Sequence, residues 1–267
     1  MSERLNKIFN NEGSRTKFIA YFVGCHPTYE KSLEIIKAAI DNGVSIVEIG
    51  YSTSEASAEG PVIKAAQDRV IANGSSLQDV IKLAKEIRSY NKNVGIILMG
   101  YISNIFMFPI PNFISEIKKN DIDGLLVVDA PHELKEENIL REGLKKNNIA
   151  FIKLVAPTTT DSRLKKICEI GTGYIYCLNY SGTTGVKSAN LSQVKDLVKK
   201  IKKYTDLPVC SGFGIKTAKD AKEISSTGVE GVIVGTTFVD YIEKNLNDTN
   251  LSKNLGTKIK EFTNKLN

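Results

Sequence analysis

Eight short apolar runs, each separated from the next by at least one stretch of helical spacing or turn chemistry, constrain this sequence more than any other feature. The runs are Phe18–Val23, Ile46–Gly50, Val94–Tyr101, Gly124–Asp129, Ile149–Ala156, Tyr174–Leu178, Pro208–Ser211 and Gly231–Val234. Most are almost continuously apolar, as parallel strands covered on both faces should be. Helical patterns fill the intervals at Lys31–Asn42, Val62–Ala72, the segment opened by Ser76, Asn112–Lys119, Glu136–Lys146, Asp161–Ile170, Leu191–Tyr204 and Ala218–Ser225. Strict alternation of strand and helix implies a parallel sheet. Eight such units in 267 residues imply a closed (β/α)8 TIM barrel, a fold of about 250 residues. Residues 2–11, with Leu5, Ile8 and Phe9 on one side, add a short extra N-terminal helix, and 254–267 add a basic amphipathic one. No linker or low-complexity segment divides the chain, so 1–267 reads as a single TIM-barrel domain.

Local signals agree with this division. Pro61 stands where a helix best tolerates proline, at its first position. Ser76 with Asp79 three residues on is a box-like helix start. Asn42-Gly43 and Asn73-Gly74 are helix stops.

The composition narrows the class of partner. The net charge is +6, but the lysines spread along helices, as at 195, 199, 200, 202 and 203, and read as a solvated face. No nucleic-acid module accompanies them, and a mild positive balance suits an anionic small substrate. Cys25, Cys168, Cys177 and Cys210 have no CxxC spacing, and only His26 and His132 could join them at a metal; no metal site is expected. Cys177 and Cys210 fall in apolar runs as small buried hydrophobes. No run reaches the roughly 18 apolar residues of a membrane span, and residues 1–13 are polar, so a cytoplasmic protein that does not meet a membrane is expected.

Chemistry is expected at the C-terminal strand ends, where barrels place their sites. Glu48 shares a strand face with Ile46 and Gly50, because side chains alternate. A carboxylate among apolar neighbours must be paired, hydrogen-bonded or protonated. Glu48 is therefore either a member of a structural ion pair or a catalytic acid/base. Tyr101, Asp129, Tyr174 and Tyr176 converge on the same mouth. Gly212-Phe213-Gly214 and Gly235-Thr236 end the last two strands, where backbone N–H groups and a helix N-terminus often hold phosphate. The loop 179–190, with Gly182, Thr183, Thr184 and Gly185, has the small polar residues of a closing flap.

On these residues the chain resembles the tryptophan synthase α subunit family, over roughly residues 16–245. The matching pieces are Val47-Glu48-Ile49-Gly50, Glu59-Gly60-Pro61-Val62-Ile63, Leu154-Val155-Ala156-Pro157-Thr158, Tyr174-Ile175-Tyr176, Thr184-Gly185, Leu207-Pro208-Val209, Gly212-Phe213-Gly214-Ile215 and Val234-Gly235. The resemblance implies a lyase that cleaves indole-3-glycerol phosphate to indole and glyceraldehyde 3-phosphate in tryptophan biosynthesis, with no cofactor in this chain. It implies Glu48 as acid/base and matches the family's loop aspartate to Glu55. It implies substrate contacts from Tyr21, Tyr101, Asp129, Tyr174, Tyr176 and Thr184, and phosphate contacts from Gly185, Gly212, Phe213, Gly214, Gly235 and Thr236. It further implies a β subunit that holds pyridoxal phosphate, in an α2β2 assembly.

The chain departs from the family pattern around the first half of the site. Ser52 and Ala56 replace prolines, which removes φ restraint from the loop. Tyr21 stands for a phenylalanine, Tyr180 for an arginine, Ser103 for an asparagine, Cys25-His26 for Gly-Asp, and Thr236 for a serine. Two alternatives follow from these changes: a weakly active or silent α-like subunit that regulates a β partner, and a related barrel acting on another phosphorylated substrate.

Overall fold

The computed structural model describes residues 2–10, 16–129, 135–178, 191–212 and 214–266. Its strands are β1 (Lys17–Val23), β2 (Ile46–Gly50), β3 (Gly95–Gly100), β4 (Gly124–Val127), β5 (Ala150–Val155), β6 (Ile175–Cys177), β7 (Val209–Ser211) and β8 (Gly231–Val234). They pair in parallel in chain order, and β8 returns to β1 to close the barrel. The helices are α1 (Glu3–Asn10), α2 (Tyr29–Asp41), α3 (Pro61–Ala72), α4 (Leu77–Tyr90), α5 (Ile102–Phe106), α6 (Ile110–Lys119), α7 (Lys135–Lys146), α8 (Asp161–Ile170), α9 (Leu191–Ile201), α10 (Ala218–Ser225), α11 (Thr236–Lys244) and α12 (Leu251–Leu266). The (β/α)8 TIM barrel and the leading helix expected from the sequence are both present.

The local chemistry accounts for the boundaries. Pro61 is the first residue of α3, and Ser76 and Asp79 exchange the two hydrogen bonds of a capping box at the start of α4. Helices α2 and α3 stop at Gly43 (φ 95°) and Gly74 (φ 76°), a conformation that costs glycine nothing. Three features differ from the sequence reading. Strand β4 ends at Val127 and β6 begins at Ile175, so Asp129 and Tyr174 lie just outside the strands. Helices α5 and α11 were not anticipated.

Two apolar layers result. Inside the barrel, Ile19, Ile46, Ile97, Leu126, Ile152, Cys210 and Ile233 pack together with Tyr174 and Tyr176. Outside, the opposite strand faces pack against the helices, and Phe18, Phe238 and Phe262 form a mutual aromatic cluster with centroids 5.4–6.2 Å apart. All four cysteines are buried free thiols. Among the described residues no helix is long and apolar enough to cross a membrane.

The N-terminal end of the barrel is sealed. Leu5 of α1 is fully buried in the inner layer, close above Gly95 and Gly173, where the absence of a Cβ makes room for it. Asp123 anchors this end. Its carboxylate accepts from Ser2 Oγ (2.6 Å), Arg4 Nη1 (2.5 Å), Arg88 Nη2 (2.6 Å) and the Ile96 N–H (2.9 Å). A second buried carboxylate, Glu137 of α7, pairs with Lys153 of β5 at 3.3 Å behind the sheet. The opposite end is left for chemistry.

Candidate active site

The inward face of β2 places Glu48 between Ile46 and Gly50, level with Tyr21 on β1 and Ile97 on β3. Glu48 is fully buried. Unlike Asp123 and Glu137, it makes no ion pair among the described residues, which removes the structural ion-pair reading. Its only printed partner is the Tyr174 hydroxyl, which donates to Oε1 at 2.5 Å. The other oxygen, Oε2, is buried and has no hydrogen-bond partner among the described residues. Burial pushes the Glu48 carboxyl up to about 7, against the opposing pull of the Tyr174 hydrogen bond. The result is a carboxyl with one oxygen held, one oxygen free, and a proton that can move either way near neutral pH.

The loop after β2 brings a second carboxyl toward the same space, and it is Glu59. Glu59 is half-buried, and burial lifts it to about 7. Its charge disfavours ionisation of Tyr21, Tyr101 and Tyr176, which places it among the tyrosines of the mouth. Glu55, the position matched in the sequence, is exposed, with its backbone N–H on Thr53 Oγ1 at 3.3 Å. The two glutamates are four residues apart on an irregular loop, where no periodicity says which one turns inward. The signal that could have found Glu59 is its place directly before Gly60-Pro61, the cap and first residue of α3. A rigid helix start fixes its neighbour's direction; Glu55 has no such anchor.

Side chains pin the loop where the family has prolines. The Gln67 Oε1 accepts the Thr53 N–H at 3.4 Å, Asn104 Nδ2 donates to the Ser52 carbonyl at 3.0 Å, and the Tyr101 hydroxyl accepts the Ala58 N–H at 3.0 Å. Tyr101 therefore holds the loop as well as lining the mouth. Asp129 is exposed, and its Oδ1 accepts the Ile102 N–H at 2.8 Å, which caps α5. Tyr176 donates to the Gly212 carbonyl at 3.1 Å.

The opposite rim gathers the late glycines. Gly212 follows β7, and a Cβ there would lie 2.2 Å from Ile233, so only glycine fits. Gly214 is exposed with φ 74° and open space where a Cβ would be. Gly235 precedes α11, no side chain caps that helix, and its first residue, Thr236, is exposed. An uncapped helix N-terminus beside exposed glycine backbone is an anion-binding arrangement. Phe213, Tyr180, Thr184 and Gly185, and the segment 130–134 with His132, lie outside the described residues.

Comparison with known proteins adds an independent line. The family model described as tryptophan synthase alpha chain matches residues 9–267. The chain is similar to a solved structure from Aquifex aeolicus VF5, with 30% identity, 99% of each chain covered and a TM-score of 0.89. It is similar to the tryptophan synthase subunit alpha of Legionella pneumophila str. Paris, with 25% identity, 100% of this chain and 98% of that one covered, and a TM-score of 0.90. A tryptophan synthase structure from M. tuberculosis shares the fold, with 22% identity, 99% of each chain covered and a TM-score of 0.86.

Proposed function

The chain belongs to the tryptophan synthase alpha chain family, lyases that cleave indole-3-glycerol phosphate, and from that premise we propose that Glu48 and Glu59 carry the cleavage. The protonated Glu48 delivers its proton to indole C3. The resulting positive charge spreads to the indole nitrogen, and the ionised Glu59 accepts the N–H hydrogen bond there. The bond from C3 to the glycerol carbon then breaks. Its electron pair restores the indole ring, while the hydroxyl of that carbon becomes the aldehyde of glyceraldehyde 3-phosphate and gives its proton to the Glu48 carboxylate. Glu48 ends as it began, so one residue serves as acid and then as base.

The observation that carries this reading is the pair of oxygens on Glu48, one held by Tyr174 and one free in a site without a counter-charge. The phosphate is placed on the rim of Gly212, Gly214, Gly235 and Thr236, with Phe213, Thr184 and Gly185 as further contacts. Tyr51, Tyr101 and Tyr176 spend their hydroxyls on protein atoms, which favours an apolar indole over a more polar ligand.

The test is indole release from indole-3-glycerol phosphate. Glu48→Gln and Glu59→Gln should each lose on the order of 100-fold or more in kcat, the usual worth of a positioned acid or base. Glu55→Gln should stay within a few-fold of the parent. Full activity in Glu48→Gln would end this reading; damage from Glu55→Gln in place of Glu59→Gln would return the second role to Glu55.

The remaining assignments belong to the same reading. Residues 1–267 act as one barrel domain in the cytoplasm, and this chain needs no cofactor of its own. It works with a β subunit that holds pyridoxal phosphate, in an α2β2 assembly. Phe106 and Met107, which are 40% and 82% exposed at the end of α5, sit beside the loop after β2 and suit that docking face.

A further inference from the structure

The tyrosine at position 21 bridges the mouth. Its ring lies beside the Cα of Gly235, where an added Cβ would stand 3.0 Å from Cδ1. Its hydroxyl lies over Gly50 at the end of β2, where an added Cβ would stand 2.3 Å away. Tyr21 thus reaches from the phosphate rim to the strand that carries Glu48. It is 5% exposed, and the 2% exposed Gln67 of α3 turns its amide toward the hydroxyl. The Gln67 carbonyl oxygen also holds the Thr53 N–H. A phenylalanine ring could not join this chain of contacts, because it has no oxygen for Gln67 to meet.

We propose that Tyr21 and Gln67 are positioning residues for the cleavage, tying the loop that carries Glu59 to the strand ends at Gly50 and Gly235. The proposal rests on the reading of Glu48 and Glu59 given above. The loop lacks the prolines that would otherwise narrow its conformations, so its geometry depends on side-chain anchors. Gln67 fixes Thr53 near the loop's start, and Tyr21 fixes Gln67. The device acts on where Glu59 sits when the bond breaks, not on how tightly the phosphate is held. It should therefore appear in kcat more than in KM, since misplacement by about 1 Å can cost on the order of 100-fold in the chemical step.

The experiment measures kcat and KM for indole-3-glycerol phosphate in the full chain and four variants. Tyr21→Phe keeps the ring and removes the oxygen. Gln67→Glu keeps the acceptor for the Thr53 N–H and changes the group that meets Tyr21. Each should lower kcat roughly 5- to 50-fold with KM within about twofold. The double variant should be no slower than the worse single one, because both changes break one unit. Full kcat in Tyr21→Phe, multiplicative losses in the double variant, or a raised KM at unchanged kcat would each overturn the proposal. Glu48→Gln is the fourth variant. If it still releases indole, the underlying reading and this proposal fall together; if it is silent while Tyr21→Phe turns over normally, the proposal alone falls.

Discussion

Burial lifts both Glu48 and Glu59 to about 7, so carboxyls that are ordinarily ionised at neutral pH stay partly protonated. The cleavage uses Glu48 protonated and Glu59 ionised. Its kcat should therefore describe a bell against pH with both limbs near neutrality, the apparent values belonging to the pair. Loss of the proton on Glu48 sets the alkaline limb. Tyr174 donates to the ionised form and so holds that limb down. Tyr174→Phe should move the alkaline limb upward by roughly one pH unit, the worth of one hydrogen bond to a charged group; a downward move would contradict the geometry. Glu48 was legible in the sequence because a charge inside an apolar run has few innocent explanations. Glu59 was not, because a loop carries no periodicity, and Glu55 looked equally suitable until the start of α3 showed which side chain is aimed.

At the scale of elements, the strands and long helices followed from apolar runs and caps, while two helices escaped. Helix α5 has five residues, too few for a period to show. Helix α11 has Phe238, Val239 and Ile242 on its buried side, but begins at Gly235 without a capping side chain. The missing cap is the very property that frees its N-terminus for an anion, so the functional need erased the local signal. The leading helix shows the reverse case. Its apolar side chains were visible, and the structure gives Leu5 a position inside the barrel. Leu5→Ala should cost about 2–5 kcal/mol, the usual range for truncating a buried leucine. Urea unfolding with an unchanged slope would measure it; a cost under about 1 kcal/mol would mean that α1 does not seal the barrel.

Across the whole molecule, polar groups at the two barrel ends are treated in opposite ways. At the N-terminal end, Asp123 takes donors from Ser2, Arg4, Arg88 and Ile96, joining the leading segment, α4, the turn before β3 and the turn before β4. At the C-terminal end, Glu48 keeps an oxygen without a partner among the described residues. Satisfied groups hold the fold, and the unsatisfied one awaits substrate. Asp123→Ala leaves Arg88 buried without its carboxylate and should cost about 3–5 kcal/mol. The kcat of the molecules that remain folded should not change, as judged at a temperature well below the variant's melting transition. A fall in kcat without a loss of stability would show that the two ends are not separable.

The contact between Tyr21 and Gly50 also bears on the order in which this sequence can change. The phenol and any side chain at position 50 claim the same space. Alanine at 50 meets not only the hydroxyl but also ring carbons, at 2.8 and 3.0 Å, so exchanging tyrosine for phenylalanine does not clear the way. A lineage that is to gain bulk at 50 must first give up the aromatic ring at 21. A lineage that keeps the ring inherits glycine at 50 with it, and the two positions descend as one character.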